Sequence, residues 1–134
     1  MRLHHIAYVT KDIKKKADIF CSIFGFKRNE DNVMDKNQDV NIALLEMGDG
    51  VQLELLEPIG SESPVSGFLS KGGGIYHLCF EVEDLDGLLD RLERNKEARV
   101  VKKPAAAPAF GGRRVAFVAT RDKDLVEFIE KSKR

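Results

Sequence analysis

Four residues of this chain combine types and spacing suited to holding a cation: His5, Glu54, His77 and Glu127. Two neutral imidazoles and two carboxylates form a mixed nitrogen and oxygen donor set. Such a set suits a divalent first-row metal ion and does not choose among nickel, cobalt, manganese and zinc. On an octahedral ion, four protein ligands leave two positions for water or substrate, a catalytic arrangement rather than a sealed structural one. The two histidines lie 72 residues apart and the two glutamates 73. That spacing belongs to a repeat.

The elements that must position these residues occur twice. "LHHIAYVT" (3–10) and "IYHLCFEV" (75–82) both alternate apolar and polar side chains as strands do. After the first comes a helix with apolar Ile13, Ala17, Phe20, Ile23 and Phe24, started at Thr10 or Asp12 and closed by Gly25. After the second comes a helix over 84–95 with Leu85, Leu88, Leu89 and Leu92 on one face. Strand-like segments follow each helix. In the first half they lie around 27–34, 40–47 and 51–57, the last two joined by "GDG" (48–50). In the second half they lie near 98–102, 113–120 and 124–131, the last two joined across "RDKD". Asp12 and Asp84 repeat the offset of 72, and Ala43 and Ala116 repeat that of 73. The chain therefore reads as two tandem β-α-β-β-β modules of α+β class. Module one is 1–57, a joint covers 58–74 and module two is 75–131, all within one domain of 134 residues. The joint combines a turn, a short amphipathic helix and a glycine run.

Two such modules suggest one curved mixed sheet with the helices outside. Strand parity then places His77, Cys79 and Glu81 on the concave face, and Tyr76, Leu78, Phe80 and Val82 against the helix. His5 and Ala7 take the matching face in the first module. The two His–Glu pairs could thus converge in one metal-binding cleft. His4, on the opposite strand face from His5, reads as structural, as does Gln52. The glycines at 72–74 precede a strand rather than a helix, unlike a phosphate-cradling loop.

Bulk properties exclude several functions. Apolar residues make up 43% and charged residues 33%, an ordinary folded composition. Twenty-two basic and 22 acidic side chains cancel, so no global field favours nucleic acid or a membrane surface. The runs "KKK" (14–16) and "KSKR" (131–134) read as a solvated helix face and a tail. Cys21 and Cys79 form no disulfide framework or zinc spacing, and neither has a basic partner to make it a nucleophile. No apolar run reaches the roughly 20 residues of a membrane span, and the first strand begins at once, so a cytoplasmic protein is expected.

The residues "HHIAYV", "VQLELLEPIGSESPVSGFL", "YHLCFEVEDL", "GGRRVAFV" and "LVEFIE" resemble the vicinal-oxygen-chelate superfamily over nearly the whole chain. That superfamily includes glyoxalase I, methylmalonyl-CoA epimerase and the bleomycin-resistance proteins. The stretch "ELLEP", followed by "ESPVSGFLSKGGG" and "YHLCFEV", is most similar to the epimerase branch. The resemblance implies metal ligands at His5, Glu54, His77 and Glu127, with Gln and Glu both found at the position of Glu54. It also implies Glu127 as a catalytic base and a homodimer. The implied chemistry is proton transfer at the carbon next to a carbonyl or thioester, with a metal-stabilised enolate.

Epimerisation needs a base on each face of that enolate. The second base of the epimerases is a glutamate just before the third strand. Here "DKNQDV" (35–40) puts Asn37 in its place, and an amide is no base near neutral pH. Either Asp35 or another carboxylate substitutes, or the reaction differs. The stretch "KKPAAAPAFGGRRVAF" is expected as a loop able to act as a lid, with Arg113 and Arg114 as surface residues or as partners for a substrate phosphate or carboxylate. Three functions follow from the resemblance. The first is a metal-dependent epimerase of a 2-substituted acyl-CoA. The second is a glyoxalase I-like lactoylglutathione lyase acting on the hemithioacetal of a 2-oxoaldehyde. The third is a non-catalytic small-molecule binder of the antibiotic-resistance kind.

Overall fold

The computed structural model describes residues 1–29 and 32–132. Glu30 and Asp31, inside the expected strand 27–34, and residues 133–134 of the expected tail lie outside the described residues. The chain forms two compact units, one of residues 5–76 and one of residues 77–134 with residues 1–4. Nine strands and three α-helices are found among the described residues. None of these helices is long and apolar enough to cross a membrane.

The first unit contains β1 (Arg2–Val9, entering at His5), α1 (Ile13–Phe24), β2 (Lys27–Arg28), β3 (Val33–Asp35), β4 (Val40–Gly48), β5 (Val51–Pro58) and α2 (Ser66–Ser70). β1 runs parallel to β5, β5 pairs antiparallel with β4, and β4 pairs antiparallel with β2 and β3. Asp12 starts α1 by accepting the Lys15 amide at 3.0 Å, which satisfies a donor that the helix cannot. Gly25, at φ 70°, closes the helix by donating its N–H to the Cys21 carbonyl. α1 packs Ile13 and Ala17 onto Ala43, Leu45, Leu53 and Leu55.

The second unit contains β6 (Gly74–Val82, from His77 onward), α3 (Leu85–Arg94), β7 (Ala98–Ala106), β8 (Arg114–Thr120) and β9 (Leu125–Glu130). β6 is parallel to β9, β9 antiparallel to β8, and β8 antiparallel to β7. Asp84 caps α3 through the Gly87 amide at 3.0 Å, as Asp12 caps α1. Leu85 and Leu89 of α3 pack onto Ala116, Val118 and Phe128, the counterparts of Ala43, Leu45 and Leu55 in the first core. The repeat thus extends from the sequence to the pairing order and to individual core contacts.

Three expectations fail. Of the four apolar residues of β6, only Phe80 and Val82 join the α3 core; Tyr76 packs edge-on against Phe68 of α2, and Leu78 is 39% exposed. A ten-residue helix is about 15 Å long, while a nine-residue strand spans about 30 Å, so the helix covers half of it. The end of α1 likewise leaves Ile23 and Phe24 exposed, the latter stacked between Phe20 and Phe26. Finally, residues 102–106 are not a loop. β7 continues to Ala106 through two register shifts, and only Pro108–Phe110 form a single 3-10 turn. Pro104 is tolerated because β7 is the last strand of this unit's ladder. A hydrogen-bonded strand is ill suited to act as a lid.

Candidate functional site

Each unit carries one buried histidine beside one buried glutamate. Side chains alternate along a strand, so the faces follow from the cores. In the first unit Ile6 and Tyr8 of β1 and Leu53 and Leu55 of β5 face α1, which puts His5 and Glu54 on the opposite face. In the second unit Phe80 and Val82 of β6 and Val126 and Phe128 of β9 face α3, which puts His77 and Glu127 opposite.

The parallel ladders fix the pairs. Ala7 is aligned with Glu54, so His5 lies two residues back on the same face; Cys79 is aligned with Glu127, so His77 lies two residues back. That diagonal is within reach of long side chains. His5 Nε2 stands 3.5 Å from Glu54 Oε1, and His77 Nε2 stands 3.1 Å from Glu127 Oε1. His5 is fully buried, and His77, Glu54 and Glu127 are each 3% exposed. A buried carboxylate is costly unless a donor or a cation meets it. Each unit places beside its carboxylate an imidazole Nε2, a nitrogen through which histidine commonly binds metal, at hydrogen-bonding distance in the second unit. The donor chemistry of each pair therefore fits a divalent cation.

Phe117, which the sequence did not single out, completes the second pair. It is the direct antiparallel partner of Glu127, and its ring meets the His77 ring edge-on at 5.1 Å. That contact limits rotation of the imidazole. The offset of 73 could have found it, because Leu44 is the partner of Glu54 in the first unit.

Asp35 and Asn37 lie at the β3–β4 turn. The Asp35 carboxylate is buried and accepts the Asn37 amide at 2.8 Å and the Gln38 side-chain amide at 2.9 Å. Ser63 donates to the Gln38 carbonyl at 2.8 Å, tying the joint to the same turn. Asp35 thus works as a turn bracket.

Arg113 and Arg114 are both engaged within the second unit. Arg113 donates to Glu81 at 2.6 Å and to the Glu130 carbonyl at 2.8 Å, and stands 3.4 Å from His4. Hydrogen bonding from Arg113 holds the Glu81 carboxyl below its ordinary value. Arg114 reaches Asp86 at 2.6 Å and Glu130 at 3.0 Å, which raises its already high pKa further.

Comparison with known proteins places this geometry in context. Residues 4–117 match the family described as the Glyoxalase/Bleomycin resistance protein/Dioxygenase superfamily. The chain is 32% identical over 125 residues to the ethylmalonyl-CoA/methylmalonyl-CoA epimerase of Cereibacter sphaeroides, covering 90% of each. It is 30% identical over 112 residues to the mitochondrial methylmalonyl-CoA epimerase of Bos taurus; this covers 82% of the chain and 62% of that longer relative, less than two thirds of its length. The crystal structure of methylmalonyl-CoA epimerase from Mycobacterium tuberculosis matches with a TM-score of 0.87 at 26% identity, over 98% of this chain and 89% of that one.

Proposed function

The chain belongs to the glyoxalase/bleomycin resistance/dioxygenase superfamily, and from that membership we propose that it catalyses metal-dependent proton transfer at the carbon next to a thioester, as an epimerase of a 2-substituted acyl-CoA such as methylmalonyl-CoA. The observation that carries this reading is the doubled His–Glu pair, built by the same strand register in both units. On this reading His5, Glu54, His77 and Glu127 hold one divalent ion. When bound, such an ion supplies Lewis-acid polarisation of a carbonyl group. Glu127 takes the α-proton, its bond electrons moving onto the thioester as an enolate, and returning a proton to carbon regenerates the carboxylate. His77 Nε2, steadied by Phe117, and Glu127 Oε1 lie together and would be offered to the ion, which leaves Glu127 Oε2 for the proton.

Inversion also requires a proton from the other face. Asn37 has no acidic group, and Asp35 is committed to its turn. The absence of a glutamate at position 37 supports a second reading, isomerisation of a hemithioacetal by the same four donors, as in a glyoxalase I-like lyase.

Proton NMR of (2R)- and (2S)-methylmalonyl-CoA in D2O, with cobalt-loaded protein and a Glu127→Ala control, tests the first reading. Deuterium entering at C2 with mixing of the two forms supports a complete epimerase. Entry with retention supports Glu127 acting alone. No exchange by protein with confirmed bound metal rejects the reading and favours the hemithioacetal reaction.

A further inference from the structure

The second unit carries a cavity of about 460 Å³ lined by Glu93, Lys96, Arg99, Thr120, Arg121 and Lys123, with Ala98 and Ala119 as its apolar wall. Its size falls in the range of about 300–1,000 Å³ typical of small-molecule sites. It lies where the end of α3 meets the β8–β9 hairpin, whereas Glu127 sits mid-strand on the face away from α3. Four cationic side chains face the single carboxylate of Glu93, which accepts the Val100 amide at 3.3 Å. Asp122, next to the cavity, accepts the Thr120 hydroxyl at 2.8 Å. Arg121 donates through Nε to the Lys96 carbonyl at 2.6 Å, joining the helix end to the hairpin.

The internal repeat shows that two of these cations sit at strained positions. Lys96 closes α3 at φ 55°, and Lys123 ends the hairpin turn at φ 72°. In the first unit Gly25 closes α1 at φ 70°, one position out of the repeat register, and Gly50, at the offset of 73 from Lys123, ends the β4–β5 turn at φ 77°. Left-handed backbone is free for glycine and unfavourable for lysine. The same fold thus uses glycine at both places in the first unit and lysine at both in the second, where a cavity adjoins them. A lysine at a helix C-terminus also meets the helix's negative pole, but Lys123 has no helix to serve and lines the same cavity.

We propose that this cavity is a binding site for a phosphorylated ligand, its oxygens held by Lys96, Arg99, Arg121 and Lys123. Ammonium and guanidinium groups are donors that phosphoryl oxygens take. Two sources share that chemistry, the phosphate-bearing end of a coenzyme A thioester and a separate small polyphosphate.

The test uses the whole ¹⁵N-labelled chain titrated at constant ionic strength with sodium pyrophosphate and, separately, with coenzyme A. The control is the double variant Lys96→Gly/Lys123→Gly, which restores the first unit's choice and therefore keeps or raises the melting temperature. Pyrophosphate should shift the backbone amides of residues 96–99 and 119–124 saturably. The variant should bind about tenfold more weakly or worse. Coenzyme A moving the same amides assigns the site to the substrate's carrier; pyrophosphate moving them alone assigns it to a separate ligand. Non-saturating shifts, saturation elsewhere on the chain, or unchanged affinity in a folded variant would overturn the proposal. None of these readouts depends on turnover.

Discussion

Glu127 and Glu81 are carboxylates of the same unit with different partners. Glu127 is buried beside His77, whereas Glu81 is bonded by Arg113 and is 18% exposed at its side chain. The Arg113 hydrogen bond lowers the Glu81 pKa from the ordinary 4.5. A lowered pKa in the folded state stabilises the fold above the ordinary value, and that contribution fades as pH falls through the depressed one. Glu81→Gln is therefore expected to cost up to about 1 kcal/mol at neutral pH and to flatten the loss of stability below pH 4.5. Urea denaturation of both proteins at a series of acidic pH values checks this; parallel curves would remove Glu81 from the account. At this scale the residue types at the site were legible, because the offsets of 72 and 73 pick His5, His77, Glu54 and Glu127 out of the chain. The occupation of Asp35 by its own turn was not, since it depends on hydrogen bonds to Asn37 and Gln38 that composition does not announce.

Elements were legible wherever their signals are local. Asp12, Asp84, Gly25 and "GDG" mark the ends of elements by backbone chemistry that needs no distant partner. The exposure of Leu78, Ile23 and Phe24 was hidden, because it depends on how far a neighbouring element extends. The continuation of β7 through Pro104 was hidden for the same reason: β8 supplies the ladder that keeps it extended. The glycine run of the joint gives an element-scale prediction. Gly73 has φ 71°, and a Cβ there would come within 2.6 Å of the Val9 carbonyl oxygen, against the end of β1. Gly25 has nearly the same φ, 70°, with nothing within 4 Å. Gly25→Ala should cost only the left-handed penalty of about 1 kcal/mol, and Gly73→Ala that amount plus the displacement of β1, about 2–3 kcal/mol in all. Thermal melts of the two variants measure the difference. Equal losses would mean that the joint yields freely and does not anchor β1.

For the whole molecule, the question is whether the two modules serve one ion or two. Each has its own buried pair and its own core. The proposed single site makes a different statement about linkage. A ligand that binds only the folded chain at a hundredfold excess over its Kd adds about 2.7 kcal/mol. For a chain of this length that corresponds to a rise of about 10 °C in melting temperature. If one ion needs donors from both modules, His5→Ala and His77→Ala should each abolish nearly all of the rise produced by cobalt, and the double variant should lose no more. If the ions are separate, each single variant keeps about half of the rise and only the double variant loses it. Melting curves with cobalt and after chelation, read beside the cobalt content of each protein, separate these outcomes without an assay of activity. Retention of half the shift in both single variants would exclude the shared site and, with it, the route proposed for the proton.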